Sequence, residues 1–459
     1  MGLTALLCAV LGIGGLVPPA NAAERTSTAP NVVIIFIDDQ GYGDLSCYGS
    51  ERADTPRIDS LAADGMKFTS FYSAHSVCSA SRAALLTGCY PPRISMPGVI
   101  GPNSRVGLHP DEVTIADLLK TKGYATTCIG KWHVGDRPEM LPTAQGFDSY
   151  FGLPYSNDMG RQKGWGSGPN DLDKIWTQKK WDIFRNNLLR NADSVESPVE
   201  QTTLTERYTE EAVTFIRENQ DRPFLLYLPH TMVHVPLFVS DDRWVEDPRE
   251  AYRLAVEHVD WSVGEVLDTL DELNLADETL VIYTSDNGPW LSKRHHGGSA
   301  GPLRNGKGTT FEGGMRVPGL FRWPGVIPAG TVTDRVAGTV DLLPTLAEIA
   351  GADLPDRTID GHSILSLLKD PRTESPHDEH GLFYYKKRQV EALRMGRWKL
   401  RFEKKNWDKV ELYDLDTDIG EANDVAGEHP DVVERLTAFA RNYDEELKSN
   451  RRLPWTADN

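Results

Sequence analysis

Several short apolar runs, rich in β-branched and aromatic residues, stop abruptly at polar clusters. Val32-Val33-Ile34-Ile35-Phe36-Ile37 ends at Asp38-Asp39, and 125–129 ends at Gly130-Lys131-Trp132-His133. Residues 224–228 lead into Pro229-His230 and then His234, and 280–284 lead into Asp286-Asn287-Gly288. Unbroken apolar runs of this length predict strands buried on both faces, as in a parallel sheet. Helical stretches lie between them. Thr55-Pro56 opens one with a cap and an N1 proline, Ile58, Leu61 and Ala62 give its apolar face, and Gly65 stops it. Residues 111–122, 205–219 and 251–273 predict further helices. The alternation predicts an α/β fold, a large mixed and mostly parallel sheet sandwiched by helices. Ligands of such sheets gather beyond the carboxyl ends of the strands, where all of these polar clusters fall.

The texture changes past about residue 375. Residues 382–385, 389–394, 398–402 and 411–415 read as short strands joined by tight turns, with a helix over 431–447. The expected organisation is therefore a main domain over 23–375 and a smaller antiparallel sheet with a helix over 376–459. A chain of 459 residues is long for one domain, which agrees. No fixed period repeats, which excludes solenoids and propellers. Residues 1–17 are uncharged and rich in Leu, Ala and Val, and Ala20-Asn21-Ala22 offers a small-residue cleavage site. This predicts a signal peptide over 1–22, export to the periplasm or the exterior, and no membrane span after cleavage. Cys8 would leave with the leader, and any pairing among Cys47, Cys89 and Cys128 cannot be read from sequence.

Charge sharpens the functional question. The formal net charge is -18, which argues against nucleic acid as a partner. An anionic substrate could be held only where a local cluster of Lys, Arg, His and metal overrides that field. Cys78-Ser79-Ala80-Ser81-Arg82, continuing to Leu86-Thr87-Gly88, reads as a helix capped by Ser79 with Cys78 just before its N-terminus, a place that favours anions. A lone cysteine at such a junction is more often structural. Adjacent carboxylates such as Asp38-Asp39 repel unless a cation neutralises them. Carboxylate and amide oxygens without Cys or His suit a hard cation, calcium or magnesium, rather than zinc.

Taken together these motifs resemble the type I, formylglycine-dependent sulfatases of the alkaline phosphatase superfamily, most closely the arylsulfatase A group and bacterial arylsulfatase-like proteins. Cys-x-Ala-Ser-Arg with Leu-Thr-Gly is similar to the family motif whose cysteine is oxidised to formylglycine; Ala80 stands where many members carry Pro. The resemblance implies a catalytic domain over 23–375. It implies one calcium ion held by Asp38, Asp39, Asp286 and Asn287, with modified Cys78 reaching it. Lys131 and His133 match the family's Gly-Lys-Trp-His element, and His234 the position near the leaving group. Leu303 to Gly314 is a long match that nominates Lys307, and Leu153-Pro154-Tyr155-Ser156-Asn157-Asp158 nominates Ser156 as a sulfate ligand. His230 is expected to be structural.

By that resemblance, hydrated formylglycine at position 78 attacks a sulfate monoester, carried by a carbohydrate or an aryl group, while Arg82, Lys131 and Lys307 add positive charge. His234 and Lys307 are both candidates to protonate the leaving oxygen. His133 is the candidate base that releases sulfate afterwards. A formylglycine-generating or anaerobic sulfatase-maturating enzyme is the implied partner. Phosphate-ester hydrolysis on the same fold and non-catalytic binding of sulfated polysaccharide are the rival readings. Specificity is expected in loops 157–181 and 290–301, with Trp165, Trp176, Trp181, His295 and His296 as candidates to meet the substrate.

Overall fold

The strand Asn31–Ile37 lies inside an eleven-stranded sheet, paired in parallel with Phe224–Pro229 on one side and Thr279–Ser285 on the other. The computed structural model describes residues 1–2, 29–403 and 406–456, so the leader expected over 1–22, Cys8 included, lies outside the described residues apart from its first two. Ala125–Ile129 and Ser149–Gly152 extend the parallel part, and Leu188–Arg190 and Asp193–Glu196 close that edge antiparallel. At the other edge Arg316–Arg322 runs antiparallel between Thr279–Ser285 and Met66–Tyr72. The sheet is therefore mixed and mostly parallel, as the apolar runs predict.

Both faces are covered, which explains the lack of alternation in the central strands. Val33, Ile35 and Ile37 point into a core shared with Pro56–Ala63, Leu204–Glu218 and Ala251–Glu272, while Val32, Ile34 and Phe36 meet Cys78–Thr87, Ile115–Lys120 and Leu342–Ala350 on the other face. The helix expected over 111–122 is only Ile115–Lys120. A reciprocal box fixes its start: the Asp117 amide donates to Thr114 Oγ1 (3.1 Å) and the Thr114 amide to the Asp117 carboxylate (3.0 Å). The helix carrying Cys78 also differs from expectation. It begins at Cys78, with Val77 in the cap position, and Ser79 makes no cap; its hydroxyl accepts from the Ile100 amide (3.2 Å).

The C-terminal sheet is antiparallel in the order Leu382–Lys386, Gln389–Met395, Trp398–Glu403, Asn406–Asp414, and the helix Pro430–Ser449 packs on it. The last strand starts earlier than the expected 411 because its leading half, with Asp408 and Lys409, is a polar, exposed edge. A fully buried ionic cluster joins this sheet to the large one. Lys399 Nζ lies 2.9 Å from Glu312 Oε1 and 2.8 Å from Glu421 Oε1, while Tyr384 and Tyr72 donate to Glu312 at 2.8 and 2.6 Å. Burial alone would push the Glu312 carboxyl up, but Lys399, Arg316 and Arg394 hold it at about 2. The cysteines at 47, 78, 89 and 128 are all unpaired. Among the described residues, no helix is long and apolar enough to cross a membrane.

Candidate functional site

Five parallel strands deliver side chains to one edge of the sheet: Asp38 and Asp39, Asp286 and Asn287, Lys131 and His133, His234, and Ser156, each follow a strand's carboxyl end. Met66–Tyr72 points the same way, so the helix after it brings Cys78 and Arg82 to this edge. Arg316–Arg322 runs opposite, so the segment before it brings Lys307 there too. All eleven expected site residues thus converge. Gly130 makes the sharp exit to Lys131 possible: its φ is +130°, and a Cβ there would sit 1.9 Å from the Pro229 carbonyl oxygen.

Asp38, Asp39 and Asp286 present carboxylate oxygens within 4.8 Å of one another, all buried. Arg82, wholly buried, donates from Nε (3.1 Å) and Nη2 (2.9 Å) to Asp286 and from Nη1 to the Lys131 carbonyl (2.9 Å), and its guanidinium lies 5.3 Å from the Phe36 ring centre. Lys131 Nζ donates to Asp38 Oδ2 and to Ser156 Oγ (3.2 Å). Lys307 Nζ donates to Asp39 at 2.6–2.7 Å, and the Asn287 amide nitrogen donates to Asp39 Oδ1 (2.8 Å). Burial would raise the Asp38 carboxyl, but Lys131, His234, Arg82 and Lys307 drive it well below its ordinary value.

Two buried oxygens in this group, Asp38 Oδ1 and Asn287 Oδ1, accept no hydrogen bond among the described residues. Orphaned acceptors beside three carboxylates are what a hard cation would satisfy, so the donor set fits calcium or magnesium and lacks the nitrogen and sulfur that zinc prefers.

The two expected histidines are oriented differently. His133 Nε2 donates to the Ile100 carbonyl (2.9 Å), which leaves Nδ1 with a free lone pair and no partner among the described residues. Burial, Lys131 and Arg82 hold its imidazole well below the ordinary value, hence neutral. His234 is turned the other way: Nδ1 donates to the Val235 carbonyl (2.6 Å) with Asn157 Oδ1 at 3.1 Å, so Nε2 faces the carboxylates, 3.7 Å from Asp39 Oδ2. Cys78, 2% exposed, feels Lys131 and Lys307 on one side and Asp38 and Asp286 on the other; burial raises its thiol. His230 points away, toward Ser262 Oγ (3.3 Å), consistent with a structural residue.

The loop candidates separate. Trp176 is buried with Nε1 on the Val245 carbonyl (2.8 Å) and packs edge-on against Trp181; both belong to the core around Phe238, and Trp165 packs against the same cluster. His295 and His296 bond Asp173 rather than facing the carboxylates. Trp290 instead lines the site, 5.5 Å from the His234 ring and 4.5 Å from Lys307 Nζ. Trp290 and Asn157 open the two loops in which specificity is expected but are not among the side chains singled out from sequence; for Trp290 the available signal was its place shortly after Asp286-Asn287-Gly288. Beside the site lies a cavity of about 890 Å³ with Met96, Val99, Ile100, Lys387, Arg388 and Glu391 in its lining.

Residues 30–352 match the family described as Sulfatase, and residues 306–446 match the family described as N-sulphoglucosamine sulphohydrolase, C-terminal. Arylsulfatase A of Homo sapiens is 40% identical over 455 residues, covering 90% of this chain and 88% of the relative. N-acetylgalactosamine-6-sulfatase of Canis lupus familiaris is 37% identical, covering 86% and 75%. Among solved structures, the PsFucS1 sulfatase from Pseudoalteromonas sp. superposes with a TM-score of 0.82 at 28% identity, covering 93% of this chain and 92% of that one. Ps i-CgsB in complex with k-i-k-neocarrahexaose gives 0.78 at 32%, covering 92% and 94%.

Proposed function

Because the chain belongs to the sulfatase family and is a sulfuric ester hydrolase, we propose that it cleaves sulfate monoesters through formylglycine made from Cys78, with one calcium ion held by Asp38, Asp39, Asp286 and Asn287. The observation that carries this reading is the convergence of those four side chains beside Cys78 with two oxygens left unsatisfied. Formylglycine would supply a hydrated aldehyde as nucleophile, and calcium a fixed double charge against which sulfate is polarised.

The chain's own residues do the rest. Lys131 and Ser156, 3.2 Å apart, form a donor pair for sulfuryl oxygens. Lys307 adds a second ammonium; burial would lower it, but Asp39, Cys78, Asp38 and Asp286 together raise it above its ordinary value, so it serves as fixed charge rather than proton donor. His234, anchored through Nδ1, directs Nε2 inward; burial and Lys307 lower its imidazole while Asp39 and Asp38 raise it, so it acts as acid for the leaving oxygen once Nε2 has taken up a proton. His133, with Nδ1 unpartnered, is the base that accepts a proton during release of sulfate. Arg82 positions Asp286 and the Lys131 backbone.

Of the two substrate kinds, a sulfated carbohydrate suits the adjoining cavity better than a small aryl sulfate, because Lys387 and Arg388 line it and Ile100 links it to His133. We assign catalysis to 23–375 with 376–459 as a supporting subdomain, export through a leader over 1–22, and maturation to a formylglycine-generating or anaerobic sulfatase-maturating enzyme. The test is peptide mass spectrometry across residue 78 with calcium analysis of active protein from its native host. Aldehyde at position 78 and bound calcium are expected; full activity with an unmodified thiol would sink the reading.

A further inference from the structure

We propose that Asp173, His295 and His296 form a second metal site, distinct from the oxygen-rich one, that takes a borderline transition cation such as Zn2+ and clamps two loops beside the catalytic cleft. Asp173 lies on the helix Pro169–Thr177, and its Oδ1 is 2.6 Å from His295 Nε2 and 2.8 Å from His296 Nε2. The two rings sit with centroids 4.5 Å apart and planes 40° from each other.

Adjacent side chains usually diverge, so bringing both imidazoles to one oxygen needs a built backbone. Arg294, just before them, has φ +55° and ψ -124°, a region that favours glycine. The Arg52 guanidinium donates to the His295 carbonyl and, at 2.9 Å, to the Gly297 carbonyl, gripping the turn from outside.

The donor set is two imidazole nitrogens and one carboxylate oxygen, the three-ligand set that zinc accepts with a fourth position left for water. This contrasts with the all-oxygen group around Asp38. Because a carboxylate oxygen only accepts, both Nε2 atoms donate to Asp173 in the hydrogen-bonded state, and a cation taking their place would displace those protons. His296 is 2% exposed while His295 and Asp173 are 29% and 34% exposed, which gives the cation an entry path and room for solvent.

The site joins segments that flank the cleft. Lys293, on the same turn, donates to the Ser167 carbonyl (2.5 Å) and lies 4.0 Å from the Trp290 ring, which in turn faces His234. A cation bridging Asp173 to the histidines would tie loop 157–181 to loop 290–301 and hold that wall in place.

The experiment titrates full-length, matured protein with Co2+ in saturating Ca2+, so that the oxygen site stays filled. A saturable visible absorption band of four- or five-coordinate Co2+, displaced by Zn2+, is expected. It should vanish in Asp173→Asn and in the double variant His295→Ala, His296→Ala, with calcium content unchanged. Independently of any variant, zinc-soaked crystals of the unaltered protein should give an anomalous peak between the three side chains. No Co2+ band, a band that survives in the variants, or an anomalous peak only elsewhere would overturn the proposal.

Discussion

Replacing Lys399 by methionine is expected to destabilise the whole molecule although Lys399 lies outside the catalytic group. Its ammonium is fully buried between Glu312 (2.9 Å) and Glu421 (2.8 Å), and it also lies 4.2 Å from the Tyr384 ring. Removing one partner of a buried ion pair costs about 3–5 kcal/mol, because the remaining charge is left uncompensated. Here Glu421 would lose Lys399 while Glu312 keeps Arg316 at 3.5 Å, so the whole of that range applies. Unfolding entropy of about 2.1 cal/mol/K per residue, taken over the chain, comes to roughly 1 kcal/mol/K. A fall in melting temperature of roughly 3–5 °C follows if the molecule melts as one unit, and more if the C-terminal sheet melts first. Scanning calorimetry measures this directly and distinguishes the two cases. The double variant Lys399→Met, Glu421→Gln removes the stranded charge while leaving Glu312 with Arg316, and should recover most of the loss. A Lys399→Met melting temperature within about 1 °C of the parent, or a double variant worse than the single, would refute the reasoning.

Other outcomes follow from the same geometry. Lys131→Ala should lower kcat by about 10²–10³ by removing a charged donor, measured by steady-state hydrolysis of an aryl sulfate. His234→Ala should slow esters of poor leaving groups far more than p-nitrophenyl sulfate, since only the former need the proton; equal losses would remove it from that role. His230 is held at about 3 by burial and by His258. The unfolded chain therefore binds the extra proton, and stability falls as pH drops below about 6.5 by up to about 1.4 kcal/mol per unit. His230→Gln should flatten that decline in urea melts at graded pH. Binding of inorganic sulfate, followed by calorimetry, should weaken when calcium is chelated, and sulfate should strengthen calcium binding by the same factor.

What could be read in the sequence was the chemistry placed where an apolar run stops. Asp38-Asp39, Lys131-Trp132-His133 and Asp286-Asn287 were legible because strand ends and ligand sites coincide in parallel sheets. Met66–Tyr72 and Arg316–Arg322 were not, for physical reasons. The first alternates, with Lys67 and Thr69 half-buried between buried Met66 and Phe68, so it is not one of the unbroken apolar runs that mark the central strands, and the second carries Pro318 and Gly319, which weaken a strand signal. The Ser79 cap failed because the Val77 backbone already enters the helix and Ile100 claims the hydroxyl. Tryptophans in 157–181 looked like substrate contacts because loops usually face solvent, yet Trp176 and Trp181 fill an aromatic cluster with Trp244 and Phe238. Asn157 was invisible for another reason: its part is to hold His234, through contacts 77 residues apart in sequence.

The pairing pattern also explains how an acidic protein can host an anionic substrate. Each carboxylate of the group already has a cationic partner: Asp38 has Lys131, Asp39 has Lys307 and Asp286 has Arg82. Arg82 is wholly buried and bonded on three nitrogens, so its charge is structural and stays with Asp286. Lys131 and Lys307 end in single ammonium groups on flexible stems, able to exchange one oxygen partner for another. A divalent cation among the carboxylates would take over their neutralisation and free both ammoniums for sulfuryl oxygens. The net charge of -18 is then a property of the surface, while the reacting centre carries a local excess of positive charge that low dielectric strengthens.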